Sequence, residues 1–214
     1  MEITERYLHQ IEQGGVIAAI RCRAALDLML EVGDALHATP ITAVMISPGS
    51  RQPWDIVAEL RHRYGASMLV GAGPLATTTQ ALAAVGAGAQ FIATGGYATA
   101  IDDLCRRHHL LYIPGVRTVE EARSVLATGV RVMSLFPARG LDVALFVQIS
   151  KTDVTMRVVA MGGVNVRNLG EYAQAGVSAV VVRGVIGATA QWRMHDAIVE
   201  MRWLRSVWAA PLEK

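Results

Sequence analysis

Arginine beside glycine is the recurring chemistry-bearing pattern in this 214-residue sequence. Arg183-Gly184-Val185 and the pair in Gly162-Gly163-Val164-Asn165 combine an open backbone with a fixed cation or a polar side chain. Glycine lets phosphate oxygens approach backbone amides, and a guanidinium grips phosphate or carboxylate with two parallel hydrogen bonds. Gly162, Gly163, Arg183 and Gly184 are therefore the candidate anion-binding residues. Amine chemistry is poorly provided for. A Schiff base needs a neutral lysine beside a carbonyl, and lysine occurs only as Lys151 and Lys214 among 20 basic residues, the other 18 being arginine. Histidine, the usual proton carrier near neutrality, stands at positions 9, 37, 62, 108, 109 and 195. Cys22 and Cys105 have no metal-ligand spacing, and no metal or cofactor is expected.

The elements that would position these groups alternate. Short β-branched apolar runs at Val16–Arg21, Ile41–Ser47, Ser67–Val70, Gln90–Thr94, Leu110–Ile113, Val130–Phe136, Arg157–Met161 and Ala179–Arg183 read as strands buried on both faces. Between them, Ala24–His37, Pro53–Tyr64, Thr77–Val85 and Val119–Ala127 have helical spacing. Gly71, Gly73, Gly95, Gly96, Gly115, Gly162, Gly163 and Gly184 are read as the turns that follow strands. Thr118-Val119-Glu120-Glu121 fits a capping box, and Asn165 reads as a further helix cap. Met1–Gln13 predicts a helix under the sheet, and Gln191–Val207 the last outer helix.

Eight strand–helix units fit either a closed barrel or an open doubly wound sheet. The count of eight, and the lack of a G-x-G-x-x-G at the first strand–helix turn, favour a single-domain, closed (β/α)8 TIM barrel spanning residues 1–214. Residues 1–14 form its N-terminal helix, 15–187 the barrel and 188–208 the last outer helix. The strand ends then face one mouth. Lys151 and four histidines (His37, His62, His108 and His109) fall where helices return to strands, at the opposite face. Arg21, Arg51, Arg117, Arg139 and Arg183 fall at the mouth, against Glu120, Glu121 and Asp142 in first helical turns, where the helix dipole favours a carboxylate.

Composition narrows the classes. Apolar residues make up 52% and charged residues 18%, as in a globular core-rich chain, and a net charge of +2 argues against nucleic acid as a partner. No apolar run reaches the roughly 18 residues that span a bilayer, and the start of the chain is too polar for a signal peptide. The expected location is the cytoplasm.

Five motifs in order carry a family likeness: Gly71-Ala72-Gly73, Ala87-Gly88-Ala89-Gln90-Phe91-Ile92, Ile113-Pro114-Gly115-Val116, Leu135-Phe136-Pro137-Ala138 and Gly162-Gly163-Val164-Asn165. Together, from about Val16 to Gly187, the chain resembles the 2-keto-3-deoxy-6-phosphogluconate / 4-hydroxy-2-oxoglutarate (KDPG/KHG) aldolases. The resemblance implies a homotrimer of barrels and class I cleavage of a phosphorylated keto-deoxy sugar acid to pyruvate and an aldehyde. It also implies a Schiff-base lysine two residues before the Phe of Lys-x-Phe-Pro, and a proton-shuttling glutamate on the second strand. Met133-Ser134-Leu135-Phe136-Pro137 and Val44-Met45-Ile46-Ser47 put Ser134 and Met45 at those positions. Pro48-Gly49-Ser50 replaces the family's carboxylate-holding arginine, whereas Arg21 matches the one at the end of strand one. Met161, Pro74 and Val185 alter the phosphate site.

The expectation is a barrel without Schiff-base chemistry that binds a small anionic metabolite, a sugar acid or phosphate-like ligand. Its candidate mouth comprises Arg21, Ser47, Gly73, Thr94, Pro114 and Phe136. Two alternatives remain open at this stage. One is an active lyase or isomerase in which Ser134, Thr94 and the arginines polarise a keto acid; the other is a structural or subunit-interaction role.

Overall fold

The computed structural model describes residues 3–21, 26–138, 143–151, 153, 155–165, 167–183 and 194–210. Its strands are β1 (Val16–Ile20), β2 (Ala43–Ile46), β3 (Leu69–Leu75), β4 (Phe91–Thr94), β5 (Leu111–Ile113), β6 (Gly115–Val116), β7 (Val132–Leu135), β8 (Arg157–Met161) and β9 (Ala179–Arg183). The helices are α1 (Ile3–Gly14), α2 (Leu26–His37), α3 (Pro53–Tyr64), α4 (Thr78–Gly86), α5 (Thr99–Arg107), α6 (Val119–Ala127), α7 (Val143–Ser150), α8 (Leu169–Ala175) and α9 (Met194–Ala209).

The strands form one sheet in the order β5-β4-β3-β2-β1-β9-β8-β7-β6, and every pairing among the described residues is parallel. Its two ends, β5 and β6, are successive pieces of one stave, so the sheet closes into an eight-stave barrel. Pro114 breaks that stave because proline has no amide hydrogen to give the ladder. Below it β5 pairs with β4; above it β6 pairs with β7, and Pro114 O accepts the Ser134 amide at 2.8 Å.

Alternation along each strand separates two cores. Ile17, Met45, Leu69, Phe91, Ile113, Val132, Val159 and Val181 fill the barrel with α1 residues Tyr7, Leu8 and Ile11 beneath them. Ala18, Val44, Val70, Ile92, Tyr112, Met133, Val158 and Val182 face the surrounding helices. Gln10 of α1 donates to the carbonyls of Thr42 and Ser67, just ahead of β2 and β3, which fastens this helix across the bottom.

Two local expectations are corrected. Gly71 and Gly73 lie inside β3, which continues to Leu75. They are glycine because the interior is already full: a Cβ on Gly71 would stand 2.4 Å from the Phe91 ring, and one on Gly73 2.8 Å from Ala93 Cβ. Asn165 is not the cap of α8; that place belongs to Asn168. Asn165 Oδ1 instead accepts the Arg167 amide at 2.8 Å, closing a turn before the helix begins. The Thr118 half of the α6 capping box forms, with Thr118 Oγ1 accepting from Glu121 N at 3.1 Å, while Glu121 Oε2 accepts at 2.7 Å from Arg117 N, one residue before the cap.

Candidate active site at the barrel mouth

Parallel strands deliver all their C-terminal ends to one side, and there the structure has a cavity of about 410 Å3. Its floor is made of inward positions below the strand ends: Ala19 of β1, Met45 of β2, Met161 of β8 and Val181 of β9. Phe136 and Pro137 form one wall and Pro74 another. Gly162, Gly163, Val164, Asn165 and Arg183 complete the rim. Both prolines follow cis peptide bonds, Gly73–Pro74 and Phe136–Pro137.

Gly162 and Gly163 have φ values of +83° and +111°, which glycine adopts without the cost that a Cβ would bring. Side-chain amides of Asn165 and Asn168 both donate to Gly163 O, at 3.3 and 3.0 Å, so two side chains brace this turn. Among the described residues no turn or loop hydrogen bond takes up the amides of Gly163 and Val164. Successive unpaired amides at a tight turn make a concavity that suits an anion. Tyr172 of α8 supports the opposite wall: its hydroxyl donates to Ala138 O at 2.5 Å, and Ala138 N donates to Met161 O at 2.8 Å.

Arg183 is exposed on the rim and pairs with no described residue. Arg21 is also exposed, but it folds over the β2–α3 turn. A Cβ on Gly49 would come within 3.0 Å of Arg21 Nε, so glycine at that position makes room for the guanidinium. Arg117 is spent on Glu121, 3.6 Å away. The Glu120 carboxyl is held below its ordinary value, first by its own backbone amide and then by Thr118, so it serves the start of α6. Gly184, Arg139 and Asp142 lie outside the described residues.

The candidate residues separate on this geometry. Phe136, Met45, Gly162, Gly163 and Arg183 line one cavity. Ser134 points inward but has no exposed surface; its hydroxyl lies 3.5 Å from Pro114 O, at the limit of a hydrogen bond. Gly73 sits behind Pro74, its missing Cβ leaving space for Met45 Sδ. Ser47 accepts the Gly49 amide at 3.4 Å, beside the cavity. Thr94 turns outward, donating to Gly96 O at 2.7 Å and sharing a 3.0 Å contact with the Tyr112 hydroxyl. Ala19 and Val181 line the cavity although nothing in the sequence singled them out, and Met161 and Pro74, the altered phosphate-site positions, line it too. Counting two residues back from Arg21 and Arg183 would have found Ala19 and Val181.

Among the described residues the remaining ionisable groups stay away from this cavity. Lys151 is exposed just beyond α7, in a groove with Arg131 and Asp153 at the bottom of the barrel. His37 rests on the Tyr64 ring at 5.2 Å, and His9 contacts Gln13, both at that same end. His195 opens α9 at the mouth end of the outer layer and is exposed. Among the described residues no group of three His, Cys, Asp or Glu side chains is placed to hold a metal. No helix of the described residues is long and apolar enough to cross a membrane.

Comparison with known proteins agrees with this architecture. The profile of the KDPG and KHG aldolases matches residues 8–200. The 2-dehydro-3-deoxy-phosphogluconate aldolase of Treponema pallidum is 34% identical over 119 residues, 55% of this chain and 56% of that protein. The chain thus spans little more than half the length of that relative. A probable 2-dehydro-3-deoxy-6-phosphogalactonate aldolase of Rhizobium meliloti is 28% identical over 68% of this chain and 69% of its own length. Among solved structures, the 2-keto-3-deoxy-6-phosphogluconate aldolase of Zymomonas mobilis with 3-phosphoglycerate superposes with a TM-score of 0.82 at 15% identity, covering 94% of this chain and 96% of that one. With nearly the whole chain matched by the family profile and a closed barrel to carry it, this protein belongs to the KDPG and KHG aldolase family.

Proposed function

We propose that this chain is a pseudoenzyme of its family: it binds a small phosphorylated or carboxylated metabolite at the barrel mouth and forms no Schiff base with it. The observation that carries this reading is the make-up of the cavity. Arg183 is the one ionisable side chain in its described lining, and a guanidinium neither attacks a carbonyl nor exchanges a proton near neutrality. Segments 22–25, 139–142 and 184–193, which follow β1, β7 and β9 in the sequence and lie outside the described residues, contain no Lys or His, and Asp142 is their only carboxylate.

Class I chemistry needs an amine next to the substrate carbonyl. Ser134 and Met45 occupy the positions that the family motifs give to lysine and glutamate, and neither replaces the lost group. The Ser134 hydroxyl has no base beside it in the described structure, so it lacks the activation that a serine nucleophile requires. Anion binding draws support from the unpaired amides of Gly163 and Val164, from Arg183 and from the phosphorylated ligand of the Zymomonas relative. A homotrimer in the cytoplasm is part of the same proposal, and light scattering on the purified protein tests the assembly.

Incubation with pyruvate and borohydride, followed by mass measurement, tests the central point. The expected mass is that of the unmodified chain; a stable adduct on Lys151 or Lys214 sinks the proposal. Inorganic phosphate and 3-phosphoglycerate should each raise the melting temperature. An occupant at 100 times its dissociation constant adds about 2.7 kcal/mol to stability.

A further inference from the structure

We infer that the mouth selects an anion carrying a short apolar group in place of a polyol chain, its head on the Gly162–Gly163 turn and Arg183 and its hydrocarbon on the Met45–Met161–Val181 floor. This rests on the proposed anion site and names the class of ligand that the site would accept.

The contrast between rim and floor is the evidence. Below the rim the lining side chains are Ala19, Met45, Met161 and Val181, with the Phe136 ring beside them, and none carries a hydrogen-bonding N or O atom. They come from β1, β2, β8 and β9, four of the eight staves, so the apolar floor is a property of the barrel interior rather than of one loop. Among the described residues the polar side chains near the floor, Arg183 on the rim apart, are already engaged or out of reach. Ser134 has no exposed surface. Thr94 is turned outward onto Gly96 and Tyr112. Asn165 donates to Gly163 O and accepts from Arg167 N. A polyol entering such a floor would lose water from its hydroxyls without gaining partners, which costs roughly fivefold to hundredfold in affinity per hydroxyl. A hydrocarbon of the same length gains instead, by about fourfold per buried methylene. The two thioethers favour varied apolar shapes, because unbranched methionine side chains adapt to the group they meet.

Phosphate and carboxylate would both satisfy the rim, so the test uses both. Binding of methyl to butyl phosphate and of acetate to pentanoate is measured by calorimetry on the wild-type chain, alongside inorganic phosphate and glycerol 3-phosphate. In one of the two series affinity should rise about fourfold per methylene from the two-carbon member onward. Glycerol 3-phosphate should bind at least about tenfold more weakly than propyl phosphate, its nearest isostere without the hydroxyls. Met45→Gln, checked for a cooperative melt, should flatten the chain-length dependence while leaving inorganic phosphate bound. A flat series with inorganic phosphate still bound overturns the apolar preference and leaves the anion site standing. No binding by any phosphate or carboxylate overturns both. The wild-type series decides the question even if Met45→Gln fails to fold.

Discussion

Replacing Gly162 with alanine tests the construction of the mouth most directly. Gly162 follows β8 directly with φ at +83°, where a side chain costs roughly 1–2 kcal/mol in backbone strain. The added Cβ would also stand 2.8 Å from Phe136 Cε2 and 2.9 Å from Cδ2, closer than real Cβ contacts allow. On its far side the half-buried ring meets Gly95, whose Cβ position is 3.3 Å from it, so Phe136 can yield only toward the cavity. Overpacking of this kind costs typically about 1–3 kcal/mol. Together the two effects amount to ~3 kcal/mol, and at about 2–4 °C per kcal/mol for a chain of this size the melting temperature should fall by about 6–12 °C.

The two contributions separate in a double-mutant cycle. Phe136→Leu removes the ring atoms that the methyl would strike and leaves the backbone strain untouched. Gly162→Ala should therefore be about 1–3 kcal/mol less damaging in the Phe136→Leu background. Gly86→Ala is the control: nothing lies within 4 Å of its Cβ position and its φ is not positive, so it should stabilise by about 0.4–1 kcal/mol. Scanning calorimetry reads all four variants. A Gly162→Ala melt within a degree of wild type, or strict additivity in the cycle, would refute the geometry assigned to this turn.

Three other outcomes follow from the same structure. Ser134→Lys directs an amine inward among Met45, Val159 and Met161, where loss of water lowers a lysine pKa; a folded variant should give a borohydride-trapped pyruvate adduct that wild type does not, and a folded variant with no adduct contradicts the register of β7. Burial, and secondarily Asp102, push the Cys105 thiol up to about 12, so at pH 8 it is a neutral thiol and iodoacetamide should label its peptide only after unfolding; labelling of the native chain at the rate of a free peptide would contradict its burial. Burial also raises the Glu200 carboxyl above its ordinary value. The folded state then holds that proton more tightly than the unfolded chain, so ionisation opposes folding at neutral pH and ceases to matter below about pH 4.3. Glu200→Gln should raise the melting temperature at pH 7, with a gain that shrinks toward pH 4; a gain that is constant with pH argues against burial as its cause.

The sequence by itself determined the barrel and its polarity. Eight runs apolar on both faces, separated by helical spacing, admit few architectures, because each strand must be covered inside and out. Pro53–Tyr64, Val119–Ala127, Arg157–Met161 and Ala179–Arg183 have the bounds read from spacing and capping alone, since their signals are local. Residue identity also placed Lys151 at the bottom. What only the tertiary structure decided is which side chains share the cavity. Thr94 and Ser134 both sit near strand ends, yet one faces the helices and the other is sealed beneath the floor. Facing depends on strand register and on where the neighbours cross, as at Pro114 and in the continuation of β3 past Gly73. One residue of register reverses inside and outside. The arginines that a linear reading grouped at the mouth are likewise divided by contact: Arg117 pairs with Glu121, Arg21 lies over Gly49, and Arg183 alone of the three lines the cavity.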